Sequence, residues 1–196
     1  MQTRKSNVRA MVMTAMLAAV SAVLMMLDFA MPIFPSFLKF DFSDLPALLG
    51  AFALGPLAGV FIELVKNLIH LLQTQTGGVG ELANFLVGVA LVLPAGFVYR
   101  FRKTRSGALL GMGAGVLTMA VAGGLANYFI VIPFYAQLMP LDAIIGMCSK
   151  IIPAVNSMET MILFTFVPFN LFKGVTVSLI TYVVYKRLAP VLHGKR

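Results

Sequence analysis

Apolar residues fill long blocks of this chain, and polar residues return mainly where the blocks end. Residues 10–27 carry no charge, and neither do residues 107–135. About 18–20 apolar residues suffice to cross ~30 Å of hydrocarbon, so both blocks read as membrane spans. The full pattern predicts helices over about 8–27, 44–54, 56–72, 81–99, 107–134 and 157–187. The expected fold is an all-α integral membrane protein, a single six-helix domain over residues 1–196.

Local signals set the predicted boundaries. Ser43 or Asp44 serves as a start signal for the second helix, with Pro46 in its first turn. Gly55-Pro56 makes a tight turn into the third, and the glycine-rich stretch 73–80 reads as an external loop. The stretch 136–156 holds Pro140 and Pro153 and is expected to form a short surface helix. Ser157 opens the last helix, with Glu159 favourably placed in its first turn. The second helix is too short to cross a bilayer, so it is expected to pack among the others.

Composition agrees with this reading. The chain is 60% hydrophobic and 11% charged, against roughly a quarter charged in soluble domains. The net charge is +8, and its placement is more informative than its size. Arg4, Lys5 and Arg9, then Arg100, Arg102, Lys103 and Arg105, then Lys186, Arg187, Lys195 and Arg196 sit at span ends. That arrangement follows the positive-inside rule and puts both termini in the cytoplasm. The basic charge is therefore a topology signal, and no nucleic-acid partner is expected. The first span follows a basic stretch but exceeds a signal-peptide core in length, so it reads as a retained helix. The single cysteine, Cys148, excludes an internal disulfide and a multi-cysteine metal site.

Polar groups inside a membrane are costly and mark cavities or partners. Asn127 lies in the outer half of the fifth helix. Asn170 and Lys173 share a face of the sixth, just after Pro168, which is expected to kink it. Structural amide bonding between helices is the alternative. In the third helix Glu63 and Lys66 are spaced to pair, and His70 reads as structural or interfacial. Segment 38–43 alternates apolar and polar residues. With Phe34, Phe37, Phe40 and Phe42, the loop before the second helix should fold back over something apolar, unless its rings simply anchor at the headgroups.

Small residues mark close helix approaches. Gly107, Gly111 and Gly115 recur at four-residue spacing, as do Ala15 and Ala19, with Ala18 and Ala22 one step round. Either internal packing or a docking face fits them. The chain has no phosphate-binding glycine loop and no zinc-protease motif. It is not expected to be an enzyme or to hydrolyse ATP.

Several stretches resemble the riboflavin-specific (RibU-type) S components of energy-coupling factor transporters. They are residues 39–46 (KFDFSDLP), 50–56 (GAFALGP), 63–67 (ELVKN) and 80–85 (GELANF), with Asn127-Tyr128-Phe129 and the Asn170/Lys173 pair. The resemblance covers nearly the whole chain. It implies the six-helix S-component fold, in a multi-pass protein of the bacterial cell membrane. It implies riboflavin as transported ligand rather than a cofactor, and a lid formed by the first loop. Its implied partners are a transmembrane coupling subunit and two cytoplasmic ATPases. The implied ligand-binding set is Asn127, Tyr128, Asn170, Lys173, Asn84 and Glu81, with Leu38, Lys39, Phe40 and Asp41 of the loop. The family's docking face falls on Ala15 and Ala19, or on Ala18 and Ala22 in a second register.

The ligand chemistry is consistent with that set. An amide both donates and accepts, matching the N–H between two carbonyls on the isoalloxazine pyrimidine edge. Lys173 is expected to donate to a flavin carbonyl or ring nitrogen, although neutral riboflavin offers it no counter-charge. Cationic thiamine should be repelled by Lys173. The alternatives are an S component for another vitamin, or an autonomous carrier or channel.

Overall fold

The structure is a computed structural model that describes the backbone of residues 2–193 and the side chains of residues 8–185. The side chains of Arg4, Lys5, Lys186 and Arg187, together with Lys195 and Arg196, lie outside the described residues. Among the described residues, four helical rods are long and apolar enough to span a membrane: Val8–Met26, Val79–Phe101, Arg105–Tyr135 and Met158–Tyr185. Their elements are α1 (Gln2–Met26), α4 (Val79–Phe101), α5 with α6 (Arg105–Ala126 and Ile132–Tyr135), and α8 with α9 (Met158–Met161 and Val167–His193).

Two shorter helices complete the bundle. α2 (Asp44–Ala53) has ten residues, and α3 (Pro56–His70) has fifteen. α2 is buried along nearly its whole length and packs against α1, α3, α4 and α9, so its backbone needs no bilayer-spanning length. Gly55, at φ 111°, makes the turn between them, and Pro56 starts α3 where a missing N–H costs nothing. The expected short helix in 136–156 is α7 (Leu141–Ser149).

The core runs through Leu48, Ile62, Leu91, Val92, Ala95, Met119 and Val177. Gly111 and Gly115 lie where a Cβ would meet the carbonyls of Ala95 and Leu91 in α4. These small residues therefore serve packing within the chain. On α1 the two alanine registers separate. Ala18 and Ala22 are buried against the bundle, whereas Ala15 and Ala19 are exposed. The second docking register is corrected accordingly, because the protein's own core covers it.

The loop between α1 and α2 is more ordered than its sequence indicates. β1 (Phe29–Ala30) pairs antiparallel with β2 (Lys39–Phe40), Phe29 opposite Phe40 and Ala30 opposite Lys39. Phe34 and Phe40 are buried against Phe169 of α9, with Phe34 edge-on to Phe169 at 5.2 Å. The hairpin thus lies against the N-terminal half of the last rod.

The fifth and last rods each contain a π-helical stretch, Asn127–Val131 and Ile162–Phe166. Each stretch is followed two residues later by a proline, Pro133 or Pro168. A proline cannot donate to the carbonyl four residues earlier, and a wide turn is one way for the helix to absorb that loss. The expected kink at Pro168 thus takes the form of a π turn, with a twin in the neighbouring rod.

Candidate functional site

Where the two π stretches meet α4, α7 and the hairpin, they enclose a cavity of about 360 Å³. Its size falls within the roughly 300–1,000 Å³ of small-molecule sites. Ala83 and Val87 of α4, Val131 and Ile132, and Phe166 and Phe169 of the last rod provide apolar walls. Polar groups enter from three directions: Asn84 from α4, Asn127 from the first π stretch, and Asn170 and Lys173 from α9.

The amides are held by their own helices. Asn127 Nδ2 donates to the Gly123 carbonyl at 2.7 Å, and Asn170 Nδ2 donates to the Phe166 carbonyl at 2.9 Å. Each keeps a second N–H and an amide oxygen for a guest. Asn84 Oδ1 is buried with no hydrogen-bond partner in the protein, a costly state unless a ligand or water supplies a donor. Gly123 leaves room for Asn170, since a Cβ there would overlap its amide.

Lys173 differs from the sequence expectation. Its Nζ lies 2.9 Å from Asp41 Oδ2 and 3.1 Å from Asp44 Oδ2. Asp44 also pairs with Lys66, which contacts Glu63 Oε2 at 2.8 Å and donates to Ser43 Oγ at 2.8 Å. All five charged groups are buried. Lys173 therefore has its counter-charges within the protein, and the argument that it would repel a cationic ligand does not hold. The Glu63–Lys66 pair forms as its spacing predicts.

Ser43 also departs from its expected role. Its side chain caps no backbone N–H of α2. Instead its own N–H donates to Asp41 Oδ1 at 2.8 Å, and its carbonyl accepts from Ser21 Oγ of α1. Asp41 thus joins the start of α2 to Lys173, so hairpin, α2 and α9 meet at one carboxylate.

Of the ten residues in the expected ligand set, Leu38, Lys39, Asn84, Asn127, Asn170 and Lys173 line this cavity. Tyr128 does not. It is turned outward and stacks edge-on with Phe129 at 4.9 Å. Phe40 is spent on the aromatic cluster, and Asp41 on Lys173. Glu81 sits one step outside, accepting from Thr74 and Thr76 at 2.9 Å each and lying 2.9 Å from His70 Nδ1. Tyr135, Thr76 and Asp44 line the cavity without having been singled out for it. Of these only Asp44, a charge beside an apolar block, carried a sequence signal, and that signal reads equally well as a helix start.

A polar-edged cavity inside a bundle of helices long and apolar enough to span a membrane defines a membrane-embedded small-molecule binding component. Comparison with known proteins narrows this. Residues 9–185 match the family described as ECF transporter, substrate-specific component. The riboflavin transporter RibU of Staphylococcus aureus (strain TCH60) is 32% identical over 189 residues, covering 95% of each chain. The riboflavin transporter FmnP of Bacillus subtilis (strain 168) is 29% identical over 193 residues, covering 97% of each. The solved S component of a bacterial ECF transporter superposes with a TM-score of 0.75 at 33% identity, covering 97% of this chain and 99% of that one.

The chain belongs to the substrate-specific components of ECF transporters and has the S-component fold. It is a multi-pass bacterial membrane protein and a transport component, not an enzyme. Membership of this family implies association with an ECF module, which displaces the autonomous carrier or channel as an alternative.

Proposed function

We propose that this chain captures riboflavin and delivers it to an energy-coupling module that supplies ATP-driven force. The observation that carries the reading is the cavity itself. Asn127 of one π stretch and Asn170, one turn beyond the other, bring two amides to a slot with apolar walls and aromatic Phe166 and Phe169. A flavin has the matching shape, with a polar pyrimidine edge on an apolar ring system. Asn127 and Asn170 read that edge, Asn84 meets the ligand from α4, and Leu38 and Lys39 close over it. Lys173 contributes its remaining donor capacity while fixing the hairpin through Asp41. The two relatives named as riboflavin transporters support the ligand.

The module is a transmembrane coupling subunit with two cytoplasmic ATPases, since this chain has no phosphate-binding loop of its own. Exposed Ala15 and Ala19 supply a small-residue face on α1 for the coupling subunit. Both termini lie in the cytoplasm, consistent with the basic residues at the span ends.

The test is an absorption and fluorescence spectrum of protein purified in mild detergent, followed by a titration of flavin-free protein with riboflavin. A yellow preparation releasing near-stoichiometric flavin, or tight binding on titration, is the expected result. No flavin carried and none bound would overturn the ligand assignment.

A further inference from the structure

At the end of α4 opposite the ligand cavity, Gly96, Tyr99, Arg100 and Lys103 face the turn between α2 and α3. A separate cavity of about 270 Å³ lies between them. Gly96 lets the two segments approach, since a Cβ there would lie 3.0 Å from Pro56 Cα. Phe52 and Tyr99 contribute rings 4.7 Å apart, and the Tyr185 hydroxyl donates to that of Tyr99 at 3.3 Å. One side of the cavity is thus aromatic and the other cationic.

The charge at this end has no internal match. Arg100, Arg102, Lys103 and Arg105 fall within six residues, and no acidic residue occurs between Glu81 and Asp142. All four are exposed, and among the described residues none of them pairs with a carboxylate. The C-termini of α2 and α4 each bring about half a negative charge, which four cations exceed.

Position in the bilayer narrows the occupant. Val79–Phe101 is long and apolar enough to span a membrane, so its last turn reaches headgroup depth. Phe97 and Phe101 in its last two turns, and Leu57 beside Pro56, are exposed. In a bilayer such side chains meet acyl chains. A fitting occupant therefore joins an anionic group to hydrocarbon, whereas a soluble anion leaves the apolar rim unused. Basic pockets between membrane helices take anionic headgroups in this way, and a guanidinium fork matches two phosphate oxygens.

We propose that this cavity is a binding site for the phosphate group of an anionic phospholipid. Arg100 and Lys103 hold the phosphate oxygens, and the acyl chains run along Leu57, Phe97 and Phe101. The site is distinct from riboflavin capture, because the two cavities lie at opposite ends of α4.

The test is native mass spectrometry of the full chain in detergent micelles holding equal amounts of phosphatidylglycerol and phosphatidylcholine. One phosphatidylglycerol per chain should be retained in preference to phosphatidylcholine. Arg100→Gln with Lys103→Gln should weaken that retention on the order of tenfold. Arg102→Gln with Arg105→Gln removes the same charge outside the cavity and should leave retention nearly unchanged. Riboflavin titration of each variant reports folding. Lys103→Gln alone, at an exposed position, should weaken retention several-fold even where the first double variant fails to fold. Equal losses in the two double variants, or equal retention of the two lipids, overturn the site. Displacement of the lipid by millimolar inorganic phosphate would reveal a soluble-anion site and overturn the lipid assignment.

Discussion

Lys173 Nζ lies 2.9 Å from Asp41 Oδ2 although 132 residues separate them in the chain. The contact ties the covering hairpin segment to the helix that carries Asn170 into the cavity. It also gives Lys173 two tasks, since the same side chain lines the cavity and neutralises Asp41 and Asp44.

Removing Lys173 should therefore affect stability as well as ligand affinity. Lys173→Met leaves two buried carboxylates short of a partner, a loss on the order of 3–5 kcal/mol for a broken buried pair. Thermal unfolding in detergent should show a clearly lower midpoint, partly restored by adding Asp41→Asn. An unchanged midpoint in the single variant would show that the pair contributes little.

Asn127→Ala and Asn170→Ala act on the cavity more selectively. Each removes one amide at about 1–3 kcal/mol of ligand interaction, or roughly 5- to 150-fold in riboflavin affinity. Flavin fluorescence titration measures this directly. Two variants with wild-type affinity would remove these amides from the site.

The glycines beside the polar groups divide in the same way. Gly123→Ala pushes a methyl into the Asn170 amide and should weaken riboflavin binding. Gly88→Ala pushes one into the Glu63 carboxylate, away from the cavity, and should lower the unfolding midpoint instead. A Gly88→Ala protein with reduced affinity and unaltered stability would contradict that division.

The two alanine registers of α1 make opposite predictions. Ala15→Leu with Ala19→Leu enlarges an exposed face and should abolish co-purification with the coupling subunit while sparing riboflavin binding. Ala18→Leu overfills a buried site at about 1–3 kcal/mol and should destabilise the protein on its own. If the Ala15/Ala19 double variant still assembles, the docking face lies elsewhere on the chain.

Cys148 is buried in an apolar cluster with Ile144, Val155 and Phe166, and burial pushes its thiol above the ordinary range. The neutral thiol is a poor nucleophile. Maleimide labelling at pH 8 should be slow in the folded protein and become fast on denaturation. Rapid labelling of folded protein would mean that α7 opens readily.

The membrane spans were legible because a bilayer demands a length of apolar chain that few other environments require. Glu63 and Lys66 were legible because one helix holds both. The pairing of Lys173 with Asp41 and Asp44 was not, since hydropathy and helical period carry no information about contacts between distant segments. The same limit left the alanine registers open: Ala15 and Ala18 are equivalent in composition, and only packing against the bundle tells them apart. Pro168 signalled a disturbed helix, but not that a π turn would take up the disturbance, nor that Pro133 would mark a second one beside it.

That wide turn has a consequence for how the last rod tolerates insertions and deletions. Met161, Thr165, Phe169, Lys173, Val177 and Thr181 are all buried, at steps of four residues. In an α-helix such a stripe drifts by about 40° per step, or about 200° over the series, and its far end would face lipid. The π stretch Ile162–Phe166 takes back part of that drift. Deleting one residue there would restore an ordinary turn and leave Asn170 and Lys173 facing nearly as they do, whereas straightening the stretch with no deletion would rotate them by about 100° relative to Met161. The rod should thus accept the loss of one residue between Met161 and Val167 more readily than anywhere else along it, because there the wide turn already holds one residue more than an α-helix needs.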